Sequence, residues 1–354
     1  MFIVKPDRHS FELEQLELIR FRVDRFLLMP KHEAWLRREA FVRQAYSSTM
    51  IENATIREEE LTKAESDLTV DRPDVKNYAR ALEFVDFLSN LNGLILDELI
   101  VRQIHWSLMS GVHDTYYLPG NYRKDTNWVE DAGIKVYQPP HQFDVPILMR
   151  EFIMELRKEG LHPVLKAGVA HLHLVAIHPF VDGNGRAARL LATLLLQNSG
   201  WGFRNILSLD NYYQRNRNEY IGGLSSTLGS KFSQDYDATP WLEFFCRSVL
   251  LGAQLLEGRL TEWQMMVDKI HKDMRPSGLL DRQIDGFIYA ARRGEITRRD
   301  YVEVAGVSPL TATRDLALLV KQGYLKAEGL GRNRAYKLAR PVSTKGVNKH
   351  SVGE

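Results

Sequence analysis

The sequence predicts a mostly α-helical protein with a small β-hairpin in the middle of the chain and a compact helix-and-strand module near the C-terminus. Three observations carry this prediction. Apolar residues recur at helical spacing through most of the first 265 residues, β-type residues beside turn signals interrupt them once, and the chain becomes basic from residue 271 onwards. We therefore expect four parts: an N-terminal helical region (1–95), a helical core (96–265), a C-terminal module (276–340) and a flexible tail (341–354).

Length and composition fit a folded protein of more than one domain. At about 150 residues per domain, 354 residues suffice for two or three. Hydrophobic residues make up 44% and charged residues 26%, which excludes global disorder. The single cysteine, Cys246, excludes an intramolecular disulfide and a multi-cysteine metal cluster, and its apolar neighbours place it in the core. The sequence shows neither a secretory signal nor an apolar stretch of about 20 residues, so we expect a soluble, cytoplasmic protein without membrane contact.

The β-type stretch covers residues 120–140. Glycine, aspartate and asparagine cluster at its turns, and the consecutive prolines Pro139 and Pro140 close it. Its apolar residues favour strands, so we interpret it as a short hairpin. The alternative is an ordinary surface loop.

One segment, residues 178–189, carries residues suited to phosphate chemistry, with the sequence HPFVDGNGRAAR. Pro179 ends the helix before it, and a new helix begins near Gly185. A glycine-rich turn that enters a helix N-terminus directs unpaired backbone N–H groups at one point, which is typical of a phosphate site. Arg186 and Arg189 are unfavourable at a helix N-terminus unless an anion lies between them. Asp182 adds an oxygen ligand suited to Mg²⁺, and His178 can accept a proton near neutral pH.

The same segment matches the signature HPFxxGNGRxxR at every specified position, and in this respect the chain resembles the Fic-domain protein adenylyltransferase family. The resemblance implies a Fic-type helical core with a β-hairpin flap, and transfer of AMP from ATP to a Ser, Thr or Tyr hydroxyl of a target protein. The implied roles are a general base for His178, Mg²⁺ ligation for Asp182 and phosphate binding for the remaining motif residues: Gly183, Asn184, Gly185, Arg186 and Arg189.

An upstream segment, Ser48-Thr49-Met50-Ile51-Glu52-Asn53, fits the [S/T]xxxE[G/N] pattern of the inhibitory helix in this family. The resemblance implies that Glu52 pairs with Arg189 and occupies the charge meant for the γ-phosphate. ATP would then bind with its α-phosphorus poorly aligned. The alternative is a glutamate on a helix surface.

The resemblance also implies contacts for the target and the nucleotide. The 120–140 hairpin lies where the family has its flap, on whose edge an extended target segment pairs through its backbone. The segment around Tyr220 is similar to the helix that closes over adenine and ribose, so Tyr220 is a candidate nucleotide contact, with a core or surface tyrosine as the alternative. Members of the family often dimerise, which makes a homodimer a further expectation.

The C-terminal module has the pattern of a winged helix: three helices followed by two strands with a glycine-rich tip. From His271 to the end there are 16 basic and 9 acidic residues. The pattern predicts DNA binding through Arg314 on the third helix and through Arg332 and Arg334 at the tip. Asp315 on the same helix argues against DNA, and protein contact is the alternative.

Three functions follow. The first is an ATP- and Mg²⁺-dependent protein adenylyltransferase that Glu52 inhibits. The second is a bifunctional enzyme in which the same site also removes AMP. The third, from another class, is a DNA-binding regulator whose core senses a nucleotide; the intact His178 favours an enzyme, because a sensor needs no base.

Overall fold

A computed structural model of the protein describes residues 4–52, 56–111, 118–131, 133–329 and 334–339. These residues form fourteen α-helices and five short strands, which confirms the mostly helical prediction. In chain order they are α1 (Ser10–Asp24), α2 (Pro30–Glu52), α3 (Glu58–Asp67), α4 (Pro73–Ser89), α5 (Glu98–Met109), β1 (Val129–Asp131), β2 (Ile134–Tyr137), α6 (Val145–Leu156), α7 (Pro163–Ile177), α8 (Asn184–Asn198), α9 (Leu209–Arg215), α10 (Arg217–Leu228), α11 (Thr239–Met274), α12 (Asp281–Arg293), β3 (Glu295–Thr297), α13 (Arg298–Ala305), α14 (Pro309–Lys321), β4 (Leu325–Glu328) and β5 (Ala335–Leu338).

The chain forms two compact units. The first unit comprises the residues up to Arg25 together with Arg37–Leu256, and the second comprises Phe26–Leu36 together with the chain from Glu257 onwards. The division into four parts made from the sequence stays a prediction.

The core of the first unit forms around α7 and α8, which pack against each other along their length. Helix α7 is buried on nearly every side because its residues are small or apolar, and Gly168 lets α11 come close: a Cβ there would lie 2.8 Å from a methyl group of Leu242. The Trp241 indole N–H donates to the Gly168 carbonyl over 2.7 Å. Helices α4 and α5 cover the other side of α8, so the start of α8 is held from several directions.

The α7–α8 connection follows the prediction closely. Helix α7 ends at Ile177, and His178 adopts a left-handed conformation with φ of 50° before Pro179. Gly183, with φ of 76°, precedes the first residue of α8. A left-handed φ strains a residue with a Cβ but not glycine, so this turn needs a glycine at position 183.

Strands β1 and β2 form the predicted antiparallel hairpin, with Glu130 paired with Lys135 and Asp131 with Ile134. The end of the hairpin is fixed to the core. The Tyr137 hydroxyl donates to the Ala176 carbonyl over 2.8 Å, and the Gln138 backbone N–H donates to the Ser230 carbonyl over 2.9 Å. The hairpin therefore stands beside the end of α7, next to the predicted site.

The second unit contains α12, α13 and α14 and a three-stranded antiparallel sheet of order β3-β5-β4. Its core consists of apolar residues from all these elements, among them Ile284, Ile288, Ile296, Leu316 and Leu319. The three helices and the strands β4 and β5 lie where the sequence predicts them, and β3 is an addition to that prediction. Thr297 caps α13, because its side chain accepts the Asp300 backbone N–H.

Asp315 is buried inside the second unit, so its charge does not count against DNA binding in the way the sequence suggested. The Asp315 side chain points into the second unit, where it accepts hydrogen bonds from Gln283 Nε2 at 2.6 Å, Arg282 Nε at 2.8 Å and the Tyr301 hydroxyl at 3.1 Å. Its charge is therefore neutralised inside the unit, whereas Arg314 on the same helix is exposed.

Within the described part of the chain, every helix is too short or too polar to cross a membrane. Cys246 is buried, as expected. The cytoplasmic location and the homodimer stay predictions.

Candidate functional site

The loop before α8 is braced by one of its own side chains. Asn184 Oδ1 accepts the Phe180 backbone N–H, and Asn184 Nδ2 donates to the Phe180 carbonyl, both over 2.9 Å. Because the oxygen and the nitrogen of the Asn184 amide both bond to the loop backbone, this side chain stabilises the conformation of the loop. Phe180 is fully buried and anchors the loop from within.

The first turn of α8 offers backbone donors. Its first helical hydrogen bond runs from the Ala187 N–H to the Gly183 carbonyl over 2.9 Å. The N–H groups before Ala187 have no carbonyl within the helix to bind, and the helix dipole adds partial positive charge at this end. This turn is suited to an anion.

His178 has the geometry of a base. Its Nδ1 lies 3.2 Å from the Val175 carbonyl oxygen. Since a carbonyl only accepts, Nδ1 carries the proton and Nε2 keeps its lone pair. Burial lowers the pKa of His178 from 6.5 to about 4, so the ring is neutral at pH 7.

Arg123 connects His178 to the hairpin, a role that the sequence did not reveal. Its guanidinium donates to three backbone carbonyls: His178 at 2.9 Å, Asp125 at 3.2 Å and Pro140. The Arg123 backbone N–H also donates to the Pro179 carbonyl over 2.9 Å. The side chain is buried, so a single residue fixes His178 relative to the hairpin.

His105 on α5 supports the loop from below, and sequence reasoning missed it as well. Its ring stacks on Phe180 with the centroids 3.7 Å apart. Its Nδ1 accepts the Gly120 N–H at 2.9 Å, so the proton lies on Nε2, which donates to the Asp182 carbonyl at 2.8 Å. His105 thus sets the direction of the peptide that enters the first turn of α8.

Arg189 lies at the centre of a buried network and is 1% exposed. Two residues of α2 bind it. Ser48 accepts twice, through Oγ at 2.8 Å from Nε and through its carbonyl at 3.0 Å from Nη2. Glu52 Oε1 lies 3.0 Å from Nη2, so the structure contains the predicted Glu52–Arg189 pair. Asn53 lies outside the described residues.

Two further partners come from α9 and α10. Asp210 Oδ1 lies 3.1 Å from Arg189 Nε, and the Tyr220 hydroxyl lies 3.2 Å from Nη1. No spacing in the sequence relates Asp210 to the motif, so this second carboxylate was missed.

Tyr220 lies in the core, the alternative that the sequence left open, and its contact with a nucleotide stays a prediction. Tyr220 is 2% exposed and packs among Tyr213, Trp241 and Phe244. Its hydroxyl lies 3.1 Å from His171 Nε2 and supports Arg189. Burial raises the pKa of Tyr220 to about 12, so it stays a neutral partner.

Asp182 faces outwards and is suited to a hydrated cation. Its side chain is 53% exposed and lies 3.5 Å from Arg186 Nη2. Asp182 also borders a cavity of about 830 Å³ between α5 and residues 118–125. The described residues contain no group of three or more metal-ligating side chains. One carboxylate is enough for Mg²⁺ when substrate phosphates and water complete its coordination, so the residues fit this ion.

Comparisons with known proteins agree with this geometry. Residues 95–196 match the sequence profile of the Fic/DOC family. The chain is 32% identical over 203 residues to a protein adenylyltransferase Fic of Drosophila virilis, and 28% identical over 212 residues to one of Nematostella vectensis. These alignments cover 53% and 55% of this chain, but only 40% and 47% of the relatives, so the chain spans less than half their length.

Solved structures show the same fold. A Fic family protein from Desulfovibrio desulfuricans superposes with a TM-score of 0.60 at 21% identity, over 95% of this chain and 97% of that one. Fic-1 from C. elegans gives a TM-score of 0.52 at 20% identity, over 74% of this chain and 75% of that one.

Proposed function

We propose that this chain, whose residues 95–196 form a Fic domain, transfers AMP from ATP to a hydroxyl side chain of a target protein. The observation that carries the proposal is the arrangement at the start of α8. A neutral histidine with a free Nε2 stands beside a helix N-terminus whose first turns bear Arg186 and Arg189. This combination suits phosphoryl-type transfer, which depends on positioning and on stabilisation of charge.

In the proposed reaction, His178 Nε2 takes the proton of the target hydroxyl. The hydroxyl oxygen bonds to the α-phosphorus of ATP, the bond from that phosphorus to the bridging oxygen breaks, and pyrophosphate leaves. The backbone N–H groups of Asn184 and Gly185 and the Arg186 and Arg189 side chains hold the phosphate oxygens. The Gly183 N–H donates to Asp182 Oδ1 over 2.6 Å and joins them once that hydrogen bond is released. Mg²⁺ on Asp182 would neutralise part of the phosphate charge.

We further infer that Glu52 inhibits the reaction in the chain itself. Its carboxylate lies 3.0 Å from Arg189 Nη2 and so occupies the charge that a γ-phosphate would need. The same carboxylate lies 2.6 Å from where a Cβ on Gly185 would be, which places it over the first turn of α8. An anionic phosphate and this carboxylate repel each other at such short range.

The hairpin β1–β2 is the proposed docking edge for the target. It is fixed to His178 through Arg123, and Ile134 and Val136 on β2 are exposed beside it. A target segment that pairs with the edge through its backbone would bring its hydroxyl towards His178 Nε2.

The test is AMP transfer from α-³²P-ATP to proteins of a cell lysate. Glu52→Gly should raise transfer at least about tenfold, equivalent to 1.4 kcal/mol. In the matched control, Glu52→Gly with His178→Ala should lose about 10²- to 10⁴-fold and still bind ATP, because the base handles a proton and not the phosphates. Equal transfer with and without His178 would refute the role of the base. Loss of label from a modified target on adding the unsubstituted protein would instead favour the AMP-removing enzyme.

A second candidate function, DNA binding by the second unit, is favoured by the inward position of Asp315. The exposed side of α14 carries Arg314, and Arg334 is exposed at the start of β5, while Arg332 lies outside the described residues. In a fluorescence-anisotropy titration with duplex DNA at low salt, the full chain should bind with affinity that falls steeply as salt rises. Arg314→Ala should change the preferred sequence, and Arg334→Ala should weaken binding to all sequences. No binding at tens of micromolar would exclude this function.

A further inference from the structure

The partners of Arg189 fall into two groups according to the element that supplies them. Helix α2 supplies Ser48 and Glu52. Helices α9 and α10 supply Asp210 and Tyr220. If the end of α2 moves away to let a phosphate in, Ser48 and Glu52 lose their contacts with Arg189 together, because they lie one helical turn apart. Only the second group then holds the guanidinium.

Within the second group, Asp210 supplies the charge. Its side chain is 2% exposed, against 44% for Glu52. The Tyr78 hydroxyl donates to Asp210 Oδ1 over 3.3 Å. The Ser48 side chain of α2 also hydrogen bonds to Asp210. A buried carboxylate without its cation is strongly unfavourable, so Asp210 and Arg189 are expected to stay together when α2 and this hydrogen bond are withdrawn. Glu52, being half-exposed, can leave and be hydrated.

Two carboxylates thus share one guanidinium, and each weakens the attraction left for the other. We propose that Asp210 is the fixed counter-ion of Arg189: it stays paired with the guanidinium when Glu52 leaves, and its charge limits how tightly either Glu52 or a phosphate is held. The inference rests on the proposed inhibition by Glu52 and deepens it. Its consequence is that the inhibited state stays weak enough to be released.

Removal of the Asp210 charge should lower AMP transfer when Glu52 is present and strengthen ATP binding when Glu52 is absent. Removal of the Asp210 charge leaves more of the Arg189 charge for whichever anion binds next. With Glu52 present, that anion is Glu52, so the inhibited state becomes tighter. With Glu52 absent, it is the phosphate of ATP, so ATP binds better.

The experiment compares Asp210→Asn, which keeps the shape and removes the charge, in the unsubstituted chain and in Glu52→Gly. In the first background, amide hydrogen exchange of α2 from Ala45 to Glu52 should slow, and AMP transfer should fall. In the second, the KM and the calorimetric Kd for ATP should fall. We expect the exchange rate, the AMP-transfer rate, the KM and the Kd each to change by about tenfold, within the 5- to 150-fold range of coupling between sites. Asp210→Ser, also neutral but smaller, repeats the test should Asp210→Asn fail to fold.

Tyr78→Phe is the matched control. It removes a hydrogen bond to the same buried carboxylate and leaves the charge. A structural disturbance of this cluster should loosen α2 and weaken ATP binding together, whereas the loss of charge should tighten both.

The results separate the two proposals. Exchange of α2 that is unchanged or faster in Asp210→Asn, or weaker ATP binding in Glu52→Gly with Asp210→Asn, would overturn the role of Asp210 even if AMP transfer is observed. Slower exchange in a protein that transfers no AMP would support Asp210 as counter-ion while the proposed function fails.

Discussion

The His178 ring is neutral and carries its proton on Nδ1 because of its position at the end of α7. The ring is partly shielded from water there, which lowers its pKa to about 4, and the Val175 carbonyl fixes the proton on Nδ1. An exposed histidine, with a pKa near 6.5, would be largely protonated at pH 5.5 and could not accept a proton. The fold therefore widens the pH range in which the proposed base works.

This gives a pH prediction. Because the pKa of His178 is lowered, its Nε2 stays unprotonated from pH 8 down to about pH 5, and protonation removes the base only near pH 4. The kcat/KM for AMP transfer by Glu52→Gly should therefore be flat between pH 8 and pH 5.5. A fall with a midpoint near pH 6.5 would show that the ring titrates as an exposed one.

At this scale, the sequence predicted what lies close together along the chain. Residues 178–189 could be assigned because one turn and one helix start determine their geometry. The Glu52–Arg189 pair could be predicted only through the resemblance, since 137 positions separate the two residues. His105 and Asp210 had neither short spacing nor a motif, and only the packing of α5 and α9 brings them to the site.

Among the elements, α12 and α13 meet at an unusually close point. A Cβ on Gly286 of α12 would lie 2.3 Å from Cε2 of Tyr301. Tyr301 cannot move aside easily, because it is fully buried and its hydroxyl donates to Asp315. Gly286 is therefore required by its neighbour, although glycine weakens a helix by roughly 1 kcal/mol relative to alanine.

We expect Gly286→Ala to destabilise the second unit by about 1–3 kcal/mol, the range for overpacking of a core. Gly258 provides the matched control, since it lies within α11 and nothing approaches within 4 Å of its would-be Cβ. Gly258→Ala should be neutral or stabilise by up to about 1 kcal/mol. Urea unfolding of both variants checks this, and equal effects would contradict the close contact.

Elements with a strong local signal were predictable, and those without one were not. Pro179 predicted the end of α7, which the structure places at Ile177. Turn residues and β-type residues predicted the hairpin. Strand β3 has only three residues and forms because β5 pairs with it, so nothing local indicates it.

Across the whole molecule, several histidines are buried in their neutral form. Burial lowers the pKa of His32 and His173 to about 3 and that of His178 to about 4, and holds that of His171 well below 6.5. In the unfolded chain all four would bind protons below about pH 6.5. Stability from these groups is complete above that pH and is lost as the pH falls towards 4.

Thermal unfolding should show this dependence. Each histidine contributes a loss of up to about 1.4 kcal/mol per pH unit in this range. The Tm should therefore change little between pH 8 and pH 7 and fall clearly between pH 6 and pH 4.5. A Tm that is constant down to pH 4.5 would mean that the rings take up protons in the folded state.

The distribution of tryptophans gives the two units separate optical signals. The second unit contains Trp35 and Trp263, and the four others, at positions 106, 128, 201 and 241, belong to the first. Arg292 lies over both indoles of the second unit, at 3.9 Å and 4.6 Å from the ring centroids. The His32 ring packs against Trp263 in a tilted arrangement, with the centroids 3.7 Å apart. Unfolding of this unit removes these neighbours and exposes both indoles to water, which shifts their emission to longer wavelength. Phenylalanine at positions 35 and 263 would leave the fluorescence of the first unit alone, so the melting of each unit can be followed within one intact chain.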